Sequence, residues 1–323
     1  MRVSARHAIS LAITLVFLGG CGRQDREPRQ NENAATRSAP GGAAEKIKIV
    51  ATTSIVADLA RNIGGDLVEV TSLMGPGVDP HLYRARAGDV SRLSSADLVL
   101  YHGLHLEASL ADVLRQMGER VTTAAVAEGI ERDRLIISEA FGGSADPHIW
   151  FDVRLWMEAA ERARDALARR DPGRAGEYAA NTERYLTALR ELDEYVRQQA
   201  ETVPPQQRVL VTAHDAFNYF GRAYGFEVEG LQGISTASEA GIVDVQRLAT
   251  LVAEREIKAI FVETSVPLRS IEAVQAAAGT RGWDVAIGGS LYSDALGAEG
   301  TPGGTYLGMI RHNIDAITGA LRK

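Results

Sequence analysis

From Lys46 onward, short runs of Ile, Val and Leu alternate with longer stretches whose apolar residues recur every three to four positions. Ile47 to Ala51 reads as a buried strand. Ser54 is a candidate N-cap for Ile55, Val56, Leu59, Ala60 and Ile63, which share one helical face, and Gly64-Gly65 stops that helix. Val68 to Leu73, Leu98 to Tyr101 and Val121 to Val126 are the next predicted strands, with helices near Gly88 to Ser95 and Glu107 to Met117. The second half repeats the alternation. Its strands are Val209 to Thr212, Glu227 to Gly230, Ile257 to Glu263 and Val285 to Ile287, and its helices lie around Phe217 to Tyr224, Val243 to Arg255 and Arg269 to Ala278. Strand and helix in turn predict parallel sheets covered on both faces.

Between the halves, Gly173 to Ala200 has no proline and places Tyr178, Tyr185, Leu189, Leu192 and Val196 at helical spacings. Bounded by Asp171-Pro172 and Pro204-Pro205, it predicts one helix of about 28 residues, roughly 42 Å long. The expected class is therefore α/β, with two parallel-sheet lobes, residues 46–170 and 204–323, joined by one backbone helix within 171–203. A rigid helix between lobes predicts limited relative motion, whereas a flexible hinge would use Gly and Ser. The competing reading is a surface helix of a single lobe.

The N-terminus has a different pattern. Arg2 and Arg6 precede an apolar run from Ala8 to Leu18, interrupted only by Ser10 and Thr14, as in a secretory signal over residues 1–20. The run is far shorter than the roughly 20 residues a membrane-spanning helix needs. Cys21, the only cysteine, follows Leu18-Gly19-Gly20, a sequence that resembles a bacterial lipobox and predicts a lipidated mature N-terminus. A free thiol in a plain signal peptide is the alternative. Gly22 to Glu45 contains no Val, Ile, Leu, Met or aromatic residue, so residues 21–45 read as an anchored tether with a coil span of roughly 25–30 Å.

Composition narrows the function classes. At 323 residues, with 45% hydrophobic and 24% charged, the chain suits about two globular domains and excludes a disordered or fibrous protein. Its formal charge of −7 lacks the basic footprint of a phosphate-backbone binder, so no nucleic-acid partner is expected. One cysteine allows no internal disulfide.

The chemistry concentrates on histidine and aspartate. Asp79-Pro80-His81 and Asp146-Pro147-His148 are the same tripeptide twice, each in a turn that proline keeps out of regular structure. His214 follows the Val209 to Thr212 strand, and Asp294 follows the strand at Val285 to Ile287. Ligands of open parallel sheets gather at such carboxyl ends, so His81, His148, His214 and Asp294 form a candidate metal set across a cleft between lobes. Glu263, ending its own strand, is a candidate supporting partner or extra ligand, with a plain hydrogen-bonding role as the alternative. His102 and His105 form a rival pair, although Gly103 between them favours a turn.

Five motifs in order are similar to the zinc- and manganese-binding lipoproteins of ABC importers, the cluster A-I solute-binding proteins, and especially to the treponemal-type branch. They are the two Asp-Pro-His segments, the second running on through Ile149-Trp150-Phe151-Asp152, then Thr212 to Phe220, Gly233 to Glu239, and Ser293-Asp294-Ala295. The resemblance covers Lys46 to the C-terminus. It implies two α/β lobes on a long backbone helix, His81, His148, His214 and Asp294 as ligands of a transported Zn²⁺ or Mn²⁺, and delivery of that ion to an ABC permease membrane subunit. It also implies an exported monomer of the cell envelope, membrane-anchored or periplasmic, and no enzymatic activity.

Two departures bear on the ion. Glu131 to Ala145 is short and lacks the His-rich insert of many dedicated zinc members, while His214 stands where manganese-type members usually have glutamate. Three imidazoles and one carboxylate suit Zn²⁺, and Mn²⁺ fits if Asp294 binds through both oxygens. Zinc, manganese and iron stay open as the physiological cargo. A metal-dependent hydrolase is disfavoured because four protein ligands leave no open position for water and the chain has no H-E-x-x-H, P-loop or G-x-S-x-G. A binder of organic ligands would need an aromatic cleft, and aromatics are only 6% of the chain.

Overall fold

The computed structural model describes residues 45–322; the signal segment, Cys21 and all but the last residue of the tether lie outside the described residues. The first lobe runs β1 (Ile47–Ala51), α1 (Ser54–Gly64), β2 (Val68–Ser72), α2 (Ala87–Ser94), β3 (Leu98–Tyr101), α3 (Ala111–Gly118) and β4 (Thr122–Ala125). The short antiparallel pair β5 (Ile137–Ser138) and β6 (Ser144–Ala145) follows, then α4 (Val153–Arg170). After α5 (Ala175–Glu201) come β7 (Val209–His214), α6 (Asn218–Tyr224), β8 (Glu227–Gln232), α7 (Ile242–Glu254), β9 (Ala259–Glu263), α8 (Arg269–Gly279), β10 (Ala286–Leu291) and α9 (Tyr306–Leu321).

The two lobes share one plan. In the first, four parallel strands lie in the order β2-β1-β3-β4. In the second, the parallel ladders β8-β7 and β9-β10 meet where β7 lies beside β9. Chain connections leave the two central strands in opposite directions, so a crevice opens beyond the carboxyl ends of β1 and β3 and again beyond β7 and β9.

Helix α1 buries Ile55, Val56, Leu59, Ala60 and Ile63 together with Ala57 and Asp58, leaving Arg61 and Asn62 exposed. Its N-cap is Thr53, whose hydroxyl accepts from the Val56 N–H, rather than Ser54. The 27-residue α5 packs on α1 and α4 of the first lobe and on α6 and α9 of the second. It bridges the lobes, which corrects the reading of a helix confined to one of them. Its Tyr178, Tyr185, Leu189, Leu192 and Val196 enter an apolar cluster that draws residues from both lobes, beside two smaller clusters around Val99 and Leu248. Among the described residues, no helix is long and apolar enough to cross a membrane.

Helices α4 and α9 and the pair β5 and β6 stand where no element was predicted. Helix α4 buries Val153, Leu155, Trp156 and Leu167 alongside Ala159, Ala160, Ala163 and Ala166. The helix expected from Glu107 starts only at Ala111, after a single tight turn at Ala108–Leu110. Glu107 instead turns inward, accepting from the Thr52 hydroxyl at 2.6 Å and from the His102 and Gly103 amides at 2.7 and 3.1 Å. Its two acceptor oxygens close the end of β3 and cannot also begin a helix.

Candidate metal centre

Four side chains converge between the crevices. His81 comes from the loop after β2, His148 from the turn after β6, His214 from the last position of β7, and Asp294 from the segment after β10. One ligand atom from each lies within 4.8 Å of every other, and all four residues are buried. His81 Nε2 is 3.3 Å from His148 Nε2, while the Asp294 oxygens lie 3.4 Å from His148 Nε2 and 3.3 Å from His214 Nε2. His214 meets His81 and His148 edge to face, at interplanar angles of 84° and 71°, and His81 and His148 are tilted by 56°, so the three rings gather without colliding.

Carboxylates behind the rings fix which nitrogen faces inward. His148 Nδ1 lies 2.7 Å from Asp146 Oδ1, and His214 Nδ1 lies 2.6 Å from Glu263 Oε2. With Nδ1–H donating outward, each Nε2 presents a lone pair to the centre. Glu263 Oε1 also accepts the His214 amide at 2.9 Å, so both of its oxygens are engaged and it stands outside the four-atom group. Two buried atoms, His214 Nε2 and Asp294 Oδ1, have no well-formed hydrogen bond. Burying such atoms unpaired costs about 1–3 kcal/mol each, so a cation, which would satisfy both, fits the donor set.

The charges are arranged to hold protons or a metal. Burial alone would depress the His148 ring, but the Asp146 and Asp294 carboxylates outweigh it and push it up to about 9. The same contest at His214, with burial opposed by Glu263 and Asp294, leaves it well above the ordinary imidazole range. Burial would raise Asp294, yet His214 and His148 hold it well below the usual carboxylate range. His81 is pulled down to about 3 by burial and stays neutral.

Sequence reasoning missed what grips the two Asp-Pro-His turns. Asp79 Oδ1 accepts the His81 amide at 2.8 Å, and Asp146 Oδ1 accepts the His148 amide at 2.9 Å. The remaining oxygen of each is reached from the second lobe: Asp79 by the Thr236 hydroxyl at 2.5 Å, Asp146 by the Asn218 amide at 3.2 Å. The Tyr219 hydroxyl adds a 2.9 Å bond to the Asp146 carbonyl. The aspartate two residues before each histidine was the available signal. His102 and His105 do not chelate together. His102 is buried and bonds the Pro147 carbonyl through Nε2 at 2.6 Å, and His105 is exposed with a left-handed backbone at φ 65°.

A family described as zinc-uptake complex component A, periplasmic, matches residues 49–320. The manganese-binding lipoprotein MntA of Bacillus subtilis (strain 168) is 51% identical over 287 residues, covering 89% of this chain and 94% of that protein. The zinc-binding protein TroA of Treponema pallidum (strain Nichols) is 49% identical over 276 residues, covering 85% and 89%. The solved structure of the Treponema pallidum protein superposes with a TM-score of 0.84 at 48% identity, over 86% of this chain and 99% of that one.

Proposed function

Because this chain belongs to the zinc-uptake complex component A family, we propose that it grips its cargo ion through His81, His148 and His214, each by Nε2, and through Asp294. The protein is an extracytoplasmic metal-binding component of an ABC importer, taking up Zn²⁺ or Mn²⁺. The observation that carries the ligand assignment is the convergence of four buried donor atoms within 4.8 Å. Glu263 and Asp146 orient two of the rings, and Asp79 and Asp146 tie the first-lobe turns to the second lobe. Four protein ligands leave no open position for an activated water, which supports capture and delivery rather than catalysis.

Removing metal and then adding it back tests the site. Zinc at about 100 times its dissociation constant adds roughly 2.7 kcal/mol, which for a chain of this size raises Tm by about 5 °C. Unchanged melting of verified metal-free protein with either Zn²⁺ or Mn²⁺ would overturn the assignment. His₃Asp chemistry favours Zn²⁺ in a direct competition. The name of the Bacillus relative supports manganese as the second reading.

The finer partners are the membrane subunit of the importer and a bilayer reached through lipid on Cys21. Cys21→Ala is expected to leave the membrane fraction as a folded, metal-binding monomer. Retention at the parental level, or a dimer mass in light scattering, would count against the anchor or the monomer respectively.

A further inference from the structure

The segment between β10 and α9 carries Asp294, and chain order assigns it to the second lobe. Much of its fastening belongs to the first. One residue before Asp294, the Ser293 carbonyl accepts the Trp150 indole N–H at 3.0 Å. Two residues after it, the Leu296 N–H donates to the Ser54 hydroxyl at 2.9 Å. Where α9 begins, the Tyr306 N–H donates to Asp58 Oδ2 at 3.1 Å and the Tyr306 hydroxyl donates to the Trp150 carbonyl at 2.7 Å. Trp150, Leu296, Tyr306 and Asp58 are all buried.

Second-lobe groups also reach the segment. The Ser265 hydroxyl lies 2.6 Å from the Ser293 hydroxyl and 3.4 Å from Asp294 Oδ2, and Asn313 bonds the Tyr292 backbone in both directions at 2.7 and 3.0 Å. These contacts lie at or before Asp294. Beyond it, the chain is bonded to α1 and Trp150. Ser54 and Asp58 are four residues apart and so share a face of α1, from which one rigid helix holds both ends of the stretch Leu296 to Tyr306.

We infer that Ser54 and Asp58 are positioning residues for the metal, fastening Asp294 to the lobe that carries His81 and His148 and thereby setting how long the ion stays bound. The inference rests on Asp294 being a ligand. Its carboxylate must meet donors on both lobes, and a ligand displaced by about 1 Å loses much of its binding contribution. Ser54 is free for this duty because Thr53, not Ser54, caps α1. Ser54→Ala therefore leaves the cap intact and installs a better helix former.

The test uses the full chain, with zinc affinity measured against a competing chelator and zinc loss followed after mixing with excess chelator. Ser54→Ala is expected to weaken zinc about 10-fold and to speed its loss by a similar factor, as for other residues that orient metal ligands. Asp58→Ala should act in the same direction. Ser54→Thr and Asp58→Asn, which keep an acceptor oxygen, should restore parental behaviour. In an Asp294→Ala background, Ser54→Ala should change zinc affinity no further, because the group it positions is gone. Parental affinity and release in Ser54→Ala would overturn the inference, and so would an equal loss with and without Asp294, which marks a general packing effect. Parental zinc binding by Asp294→Ala alone would instead remove the ligand reading, and the inference with it.

Discussion

Between pH 8 and pH 6, affinity for Zn²⁺ is expected to fall by up to about 10,000-fold, because metal must displace two protons from the centre. His148 without metal holds its proton up to about pH 9, under Asp146 and Asp294 acting against burial. His214 is held well above the ordinary imidazole range by Glu263 and Asp294, again against burial. His81 is already neutral, and Asp294 is already anionic. Each imidazolium that must lose its proton contributes about one power of ten per pH unit while the pH stays below its folded pKa. Calorimetric titrations at pH 7 in two buffers of different ionisation enthalpy should count close to two protons released per zinc. A count below one would overturn the charge assignment.

The same shifts act in opposite directions on the empty and the loaded protein. The folded pKa of His148 lies above the roughly 6.5 of an unfolded chain, so its ion pairs stabilise metal-free protein fully below pH 6.5. That contribution is lost as pH rises through about 9. Metal-bound protein, whose rings stay neutral, gains only as pH rises towards 6.5, where the unfolded rings lose their protons, and is level above it. The gap in Tm between loaded and empty protein should therefore widen from pH 6 to pH 8.

Why the candidate ligands could be picked out of the sequence follows from locality. Each Asp-Pro-His turn is closed by its own aspartate accepting the histidine amide, a contact encoded within three residues. His214 and Asp294 could be picked out because they lie at or just beyond the carboxyl ends of strands, and Glu263 because it is an acid at such an end. Contacts between distant segments left no such trace. The Ser54 bond to Leu296 spans 242 residues, and a serine ahead of an apolar helix reads as a cap. Thr236 and Asn218 reach their aspartates across 157 and 72 residues, from positions whose composition suits any loop or helix start. The predicted strand stopped at Ile287 because Gly288-Gly289 are poor strand formers, whereas β10 shifts register there and resumes its pairing with β9 at Ser290 and Leu291.

Replacing His214 with glutamate is expected to lower the ratio of zinc to manganese affinity by about 10-fold or more. The change exchanges a borderline nitrogen for a hard anionic oxygen and leaves two imidazoles with two carboxylates, a set that suits Mn²⁺ better than the parental one. Its surroundings complicate the swap, since His214 Nδ1 now rests 2.6 Å from Glu263 Oε2. A glutamate at 214 would set two carboxylates against each other in a buried site, raising one pKa and weakening every metal at pH 7. His214→Glu combined with Glu263→Gln removes that repulsion and isolates the effect of ligand hardness. Competitive titration of the parent, the single and the double variant with both ions near pH 7.5 separates the two effects. The single variant should lose affinity for both metals, zinc more than manganese, and the double variant should recover manganese more than zinc. A zinc-to-manganese ratio equal to the parent's in the double variant would place His214 outside the coordination sphere and reduce it to a buried side chain packed at the end of β7.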